Sequence, residues 1–344
     1  MDKNKNKEGR AGSVKGGARE WLALAVNAVR SPTARYVLKR ILLSVLTVWI
    51  ISTATFFIMH AVPGGPFQAE KATSPEIQAA LEEKYGLDKP LLLQYLTYIG
   101  DIVTKFDFGP SLTQRGRSVI DIIKDGLKTS ARLGIIAAAI ATVGGILLGS
   151  VAALQRNRTA DRIIMVSTTA FVSMPSFIMG TLLLIIFSLR LGLLPATGSA
   201  DMGVSGLILP IITLSLYPLA YITRLTRSSM LDTLGSDYIR VAKAKGLSTL
   251  SIILRHALRG SLFPVITYLG PMIAYIVTGS LVVEKIFAVP GIGRDFVNSI
   301  TNRDYPLIMG TTIVLSVLVV TMNLLSDLLY RVADPRIKLE GGEK

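Results

Sequence analysis

Long apolar runs separated by charged segments dominate the pattern of hydrophobic and polar positions along this chain. A helix needs roughly 20 predominantly apolar residues to cross the hydrocarbon core of a bilayer. Six segments meet this requirement, at about residues 41–62, 133–154, 163–189, 207–222, 262–283 and 307–329. The pattern therefore predicts an all-α, polytopic membrane protein with about six transmembrane helices.

The first apolar segment is preceded by a basic extension of residues 1–37, in which residues 21–29 could form a short interfacial helix. The segment is longer than the roughly 7–15-residue core of a signal peptide and lacks a small-residue cleavage site. We therefore expect it to remain as a membrane anchor and to begin a transmembrane domain of residues 38–337.

The stretch between the first and second spans, about residues 63–130, predicts a helical insertion outside the membrane. Residues 74–76 read Ser-Pro-Glu, the order of an N-cap, a first-position proline and a first-turn acid, and Gly86 is placed to end that helix. A second helix is predicted from about Pro90. A third, partly apolar helix around residues 119–127 leads into span two.

Arginine and lysine residues are concentrated in the loops that follow spans two and four. Short cytoplasmic loops carry an excess of these residues, so both loops should be cytoplasmic. With six spans, both termini then lie in the cytoplasm, including the tail of residues 338–344. The insertion of residues 63–130 lies outside.

The loop of about residues 224–262, between spans four and five, predicts two short helices. Ser236 can cap the first, of about ten residues, with Asp237 in its first turn and Lys243 in its last. Gly246 is placed as the left-handed residue that ends this helix. The first helix should therefore stop sharply.

The second helix of this loop is predicted to begin at a Ser248 cap and to lie on the membrane surface before span five turns in at Pro264. Its apolar residues recur at helical spacing. They are Leu250, Ile253, Leu254, Ala257, Leu258 and Leu262. Two capped helices in one basic loop would make a rigid knob able to transmit force from a soluble partner.

Composition agrees with the bilayer as solvent: the 344 residues are 50% hydrophobic and 17% charged, with a mean hydropathy of +0.51. The net charge of +14 could suggest nucleic acid, but no soluble domain presents a basic groove, and basic residues beside spans explain it. The chain has no cysteine and only two histidines, His60 and His256. Because these lie in different predicted compartments, a metal or catalytic centre is not expected.

Residues 144–150 have a superficial P-loop glycine spacing but lack the lysine that reaches the phosphates. Gly145 and Gly149 instead suit close packing of span two against another helix. If ATP drives this protein, another chain must hydrolyse it. Ser176, which follows Pro175 in span three, is interpreted as a packing or kink residue rather than a nucleophile, because no base is suitably placed.

Residues 237–247 resemble the EAA loop of ABC importer permeases, in the form found in the oligopeptide and dipeptide permeases. The Glu-Ala-Ala triplet of the general motif reads Arg240, Val241 and Ala242 here, and Arg259 stands in place of a proline. Further segments similar to this family follow in the same order from about residue 36 to residue 337. They are residues 63–66, 107–112, 174–177, 194–198, 289–293, 303–306 and 334–337.

The resemblance implies a heteromeric importer of a bacterial plasma (inner) membrane. This subunit would pair with a second, homologous permease, two ABC ATPase subunits would bind inside, and an extracytoplasmic binding protein would deliver peptide. No cofactor is expected in this chain, because ATP and Mg would be bound by the ATPase subunits. The resemblance assigns ATPase coupling to Asp237, Tyr238, Arg240, Val241, Ala242, Lys243, Lys245, Gly246 and Leu247.

Two alternatives remain open at this point. Related importers carry nickel or other small solutes, and no substrate-contacting residue can be assigned from the sequence. An ion-coupled secondary transporter would need ionisable groups near mid-membrane. The predicted spans offer few, and Asp327, near the cytoplasmic end of span six, is better explained as a helix-end residue or a partner of Arg331.

Overall fold

The computed structural model describes residues 32–65, 82–83, 86–114, 116–198 and 203–333. Within these ranges the regular secondary structure is helical, apart from one isolated antiparallel bridge between Pro110 and Ser118. The predicted all-α class is confirmed. The predicted interfacial helix of residues 21–29, the Ser-Pro-Glu start at residues 74–76 and the tail of residues 338–344 lie outside the described residues.

The helices are numbered here in chain order. They are α1 (Pro32–Ala61), α2 (Leu91–Lys105), α3 (Val119–Leu154), α4 (Thr159–Ser173), α5 (Ser176–Arg190), α6 (Ser205–Leu234), α7 (Asp237–Ala244), α8 (Thr249–Ser261), α9 (Phe263–Ile286), α10 (Ile292–Thr301) and α11 (Tyr305–Ala333). Two of them contain π-helical turns, at Leu184–Arg190 in α5 and at Ile252–Ala257 in α8.

Four of these helices, α1, α3, α6 and α11, are long and apolar enough to cross a membrane alone. Two bent pairs, α4 with α5 and α8 with α9, bring the number to six if each pair counts as one span. The predicted spans therefore correspond to observed helices. Span three is not one continuous helix, however, because it breaks at Met174 and Pro175 with a bend of 110°.

The helices predicted for residues 63–130 are partly as expected. The Gly86 and Leu87 amides donate to the carbonyls of Glu83 and Glu82, and Gly86 has φ +66°, which is the expected helix end. Helix α2 begins directly after Pro90. The third helix of the insertion is not separate. It is the first part of α3, which runs without a break through 36 residues.

Close packing of α3 against α6 builds the centre of the structure. A Cβ atom on Gly145 would lie 2.7 Å from the side chain of Ile222, and one on Gly149 would lie 2.6 Å from the carbonyl oxygen of Thr223. Neither position has room for a side chain, so the two backbones can approach only because both residues are glycines. This is the packing role predicted for Gly145 and Gly149.

The contacts divide the chain into two compact units, residues 1–50 and residues 51–344. In the first unit, Arg40 Nε donates a hydrogen bond of 3.0 Å to the Tyr36 hydroxyl within α1. In the second unit, the last turns of α1 pack on α2, where Thr53 and Tyr95 share a 2.7 Å hydrogen bond and Phe56 contacts the Tyr95 ring. Helix α2 is therefore held by both aromatic and polar contacts.

Candidate functional site

The first helix of the loop between α6 and α9 is α7, which has eight residues rather than about ten. Ser236 occupies the N-cap position, but its hydroxyl donates to the carbonyl of Thr233 at 2.6 Å and accepts nothing from α7. The predicted side-chain cap is therefore wrong. The carbonyls at the end of α6 also need partners, and one of them takes this hydroxyl.

The end of α7 is as predicted. Gly246 has φ +75°, its amide donates to the carbonyl of Lys243 at 2.9 Å, and the Leu247 amide donates to that of Ala242 at 3.3 Å. This pair of bonds is the Schellman motif, which requires a left-handed residue at the glycine position. Because a β-branched residue adopts that conformation only with strain, the chain direction after α7 depends on Gly246.

Helix α7 has one buried face and one free face. Ile239 and Ala242 are buried against the end of α3 at Ala153 and against Met230 of α6. The other predicted coupling residues are all exposed. They are Asp237, Tyr238, Arg240, Val241, Lys243, Lys245, Gly246 and Leu247. The predicted coupling residues therefore all lie on α7 or on the turn that follows it. Ala242 packs against the rest of the protein, whereas the other coupling residues are exposed.

The second helix of the loop, α8, is capped as predicted, because the Ser248 hydroxyl accepts from the Ser251 amide. Its apolar side chains divide between two environments. Ile252 and Ala257 are its buried apolar residues, whereas Leu250 and Leu254 are more than half exposed. The π-helical turn favours this arrangement, because bonding from i to i+5 places Ile252 and Ala257, which are five residues apart, on one face.

The exposed apolar residues of α7, of α8 and of the turn between them are together called the loop patch. It consists of Tyr238, Val241, Leu247, Leu250 and Leu254. Three basic side chains, Arg240, Lys243 and Lys245, are exposed beside it. The 3.4 Å ion pair between Arg240 and Asp237 joins two largely solvated groups and therefore contributes little to stability. The loop patch therefore combines exposed apolar side chains with basic neighbours in the sequence.

An ion pair that the sequence analysis missed connects α6 to α4 beside this loop. Arg227 of α6 contacts Asp161 of α4 through two nitrogens, Nε to Oδ1 at 2.7 Å and Nη2 to Oδ2 at 2.8 Å. The Asn157 amide donates a third bond to Asp161 at 2.9 Å and holds the turn between α3 and α4, where Asn157 itself has φ +64°. The Asp161 side chain is only 5% exposed, so this pair is shielded from water.

A buried carboxylate organises the opposite end of the helices. Glu284 of α9 accepts from the hydroxyl of Ser130 at 2.6 Å and from the amides of Gly293 and Arg294, the first turn of α10. A Cβ atom on Gly291 would overlap the Glu284 carboxylate. The glycines of segment 289–293 therefore leave space for the carboxylate that caps α10.

A second buried carboxylate, Asp304, joins two more of the distinctive segments. It accepts from the hydroxyls of Ser111 and Thr113, from the amides of Leu112 and Thr113, and from the Leu307 amide at the start of α11. Segments 107–112 and 303–306 lie far apart in the sequence but meet here. In the sequence, both segments stand out only as polar, proline-containing motifs between apolar runs. That pattern does not show that the two segments meet.

The sequence profile described as "Binding-protein-dependent transport system inner membrane component" matches residues 145–339, more than half of the chain. This chain belongs to that family. The profile of the family's N-terminal part matches residues 33–128. The permease is thus a multi-pass inner-membrane protein. Its loop of residues 224–262, Asp161 and the buried carboxylates Glu284 and Asp304 all lie within residues 145–339.

Curated relatives extend the match over nearly all of the permease. Dipeptide transport system permease protein DppB of Bacillus subtilis (strain 168) is 48% identical over 89% of this chain and 98% of its own length. Oligopeptide transport system permease protein OppB is 43% identical in Haemophilus influenzae and 41% identical in Escherichia coli (strain K12), over 88% of this chain and 99% of each relative. The resemblance drawn from the motifs is confirmed.

Proposed function

We propose that this chain is the permease subunit of an ATP-driven importer and forms part of the path by which peptides cross the plasma membrane. The observation that carries the proposal is the end-to-end match to relatives named as dipeptide and oligopeptide permeases. It favours peptide over nickel or another small solute. It also favours ATP-driven import over ion-coupled transport.

We infer that both termini lie in the cytoplasm. The loop after span two and the loop after span four are the basic ones, and Ala153 at the end of α3 packs with Met230 and Ile239 at the α6–α7 junction. The two basic loops therefore share one side of the protein, as the distribution of arginine and lysine requires. The network around Glu284 and Asp304 then faces outside.

The loop patch is the proposed docking site for one ABC ATPase subunit. Its exposed apolar side chains suit burial against a soluble partner, and Gly246 fixes the angle between α7 and α8. The ATPase subunits bind ATP and Mg and carry out hydrolysis, and their movement is passed to α3 and α6 through Ile239 and Ala242. A second, homologous permease, a second ATPase and an extracytoplasmic binding protein complete the complex.

The proposal is tested by reconstituting this chain with the products of neighbouring genes and measuring uptake of labelled di- and pentapeptides into liposomes. Uptake should require ATP, both ATPase subunits and the binding protein. Peptide uptake by this chain alone, driven by an ion gradient, would overturn the proposal. Uptake of nickel without peptide would leave the ATP-driven mechanism standing and refute the peptide assignment.

The coupling role of the loop is tested with Gly246→Val. Valine disfavours φ +75°, so the start of α8 should be redirected and ATP hydrolysis should no longer drive uptake. Gly235→Ala is the matched control, because Gly235 ends α6 with φ −80° and an added Cβ atom would meet nothing closer than 3.5 Å. Equal peptide uptake per ATP in both variants would contradict the assigned role.

A further inference from the structure

Four tyrosines form two stacked pairs between α6 and α9. The rings of Tyr217 and Tyr275 lie 4.6 Å apart, and those of Tyr221 and Tyr268 lie 4.2 Å apart, each pair inclined by 28°. We call these four residues the tyrosine surface. Tyr217 and Tyr221 are four residues apart on α6, and Tyr268 and Tyr275 are seven residues apart on α9. These spacings keep the two tyrosines of each helix on one face of that helix.

The tyrosine surface extends from the middle of two spans toward the loop that connects them. Tyr275 lies at the midpoint of α9 and stacks on Tyr217 near the midpoint of α6, whereas Tyr221 and Tyr268 lie closer to the connecting loop of residues 224–262. Tyrosine normally favours the membrane–water interface, where its hydroxyl can remain hydrated. Tyr217 and Tyr275 at mid-span therefore indicate a polar environment that hydrocarbon alone would not supply.

The same face of α6 carries further polar groups. Arg224 and Ser228 continue the line of Tyr217 and Tyr221 at helical spacing, and both are exposed. Tyr221 itself is 40% exposed, whereas Ile222 beside it is fully buried. Arg224 begins the connecting loop of residues 224–262, so this line of polar groups leads from the spans to that loop. This face of α6 is therefore expected to meet water or a polar ligand.

The break in span three is connected to the same place. A side-chain hydrogen bond joins Ser176, the first residue of α5, to Tyr275. Met174 and Pro175, which form the 110° bend, are exposed. Non-helical backbone at membrane depth is tolerated where it is buried in protein or lines a water-filled cavity, and discontinuous helices in transporters commonly mark the site that the substrate contacts.

We propose that the tyrosine surface, with Ser176 and the bend at Met174 and Pro175, contacts the main chain of the peptide during its passage. The proposal rests on the proposed function and adds the contact site. Phenol rings and hydroxyls can pack on and hydrogen-bond to peptide groups without requiring a particular side chain. The four tyrosines contain no charge, which suits passengers of varied sequence.

A cross-linking experiment tests this contact directly. A photoreactive benzoylphenylalanine replaces Tyr221 in the reconstituted complex, and the probe is biotinylated penta-alanine delivered by the binding protein. The matched control carries the same group in place of Val143, which is 59% exposed on α3. The peptide should be captured from position 221 only when ATP and the binding protein are both present. Position 143 should not capture it.

Two substitutions separate the ring from the hydroxyl. Tyr221→Leu should lower uptake at subsaturating peptide about three- to tenfold, the factor expected for one lost aromatic contact. Tyr221→Phe keeps the ring and should remain within about twofold of the unchanged protein. Recovery of the intact complex by size-exclusion chromatography shows that the Leu variant has folded.

Each outcome decides the proposal. Capture of the second permease or of lipid from position 221, equal capture from positions 221 and 143, or unchanged uptake by Tyr221→Leu would overturn it. If the unsubstituted complex imports penta-alanine but position 221 does not capture it, the tyrosine surface is refuted and the proposed function stands. If that complex imports no peptide at all, the proposed function itself fails.

Discussion

The ion pair between Asp161 and Arg227 makes a quantitative prediction about the turn that precedes α4. Arg227→Met removes both bonds from the guanidinium and leaves the Asp161 carboxylate 5% exposed and without its cation. Breaking a buried pair in this way typically costs roughly 3–5 kcal/mol. Because Arg227 keeps 23% of its side-chain surface in contact with solvent, we expect about 2–4 kcal/mol here.

The Asn157 amide reports this change, because it donates to the same carboxylate. Hydrogen exchange followed by mass spectrometry on the purified complex measures its local opening. A loss of about 2–4 kcal/mol should speed exchange of this amide about 30- to 700-fold where exchange follows the opening equilibrium. Arg162→Met is the matched control, because Arg162 is adjacent to Asp161 but exposed, and it should change the exchange by less than about threefold.

A double-mutant cycle identifies the cause. Asp161→Asn combined with Arg227→Met removes the unpaired charge, so the double variant should exchange more slowly than Arg227→Met alone. If Arg227→Met leaves exchange at Asn157 within twofold of the unchanged protein, the pair does not hold the turn. If the double variant is no better than the single one, charge burial is not the source of the effect.

Three further predictions concern packing, the outer network and pH. Gly149→Ala should disrupt the packing of α3 on α6, because the added Cβ atom would overlap a backbone carbonyl oxygen. Gly144→Ala is the control, because its Cβ atom would meet only a flexible leucine side chain. Thermal unfolding in detergent compares the two variants. Asp304→Ala should lower the free energy of unfolding by roughly 3–5 kcal/mol and make segment 107–112 susceptible to limited proteolysis. Asp101→Ala breaks only an exposed ion pair with Lys105 and should leave the cleavage unchanged. Burial raises the pKa of Asp295 although two arginines lie nearby. Its carboxyl group therefore stabilises the folded state at a pH below the unfolded-state pKa, and this stabilisation is lost as the pH rises through the folded-state pKa. Asp295→Asn should therefore raise the melting temperature more at pH 7 than at pH 4, and an equal shift at both values would refute this assignment.

The features that the sequence predicted well are those set by neighbouring residues. Apolar runs located the spans, and Gly246 was identified as the end of α7 because a left-handed residue after a helix is a local requirement. The Ser236 side chain was predicted wrongly because two groups compete for it, and only the structure shows that the Thr233 carbonyl takes its hydroxyl. The existence of α7 was predictable, but this hydrogen bond was not.

The missed features depend on residues that are distant in the sequence or on a change of period. Arg227 and Asp161 are 66 positions apart, and each alone looks like an ordinary helix-end charge. The π-helical turn of α8 places Ile252 and Ala257 on its buried face, and no residue of that segment signals such a turn in the sequence. A fixed 3.6-residue period therefore could not show that Ile252, which the predicted apolar set omits, is buried.

The break at Met174 and Pro175 has a consequence for how the chain enters the membrane during synthesis. Helix α4 has 15 residues, about 22 Å, and α5 is no longer, whereas the hydrocarbon core is about 30 Å thick. Neither half can insert alone as a complete hydrophobic unit. Gly180 of α5 packs against Thr213 of α6 and Phe287 near the end of α9. We therefore expect stable insertion of this hairpin to wait until the later helices have left the ribosome.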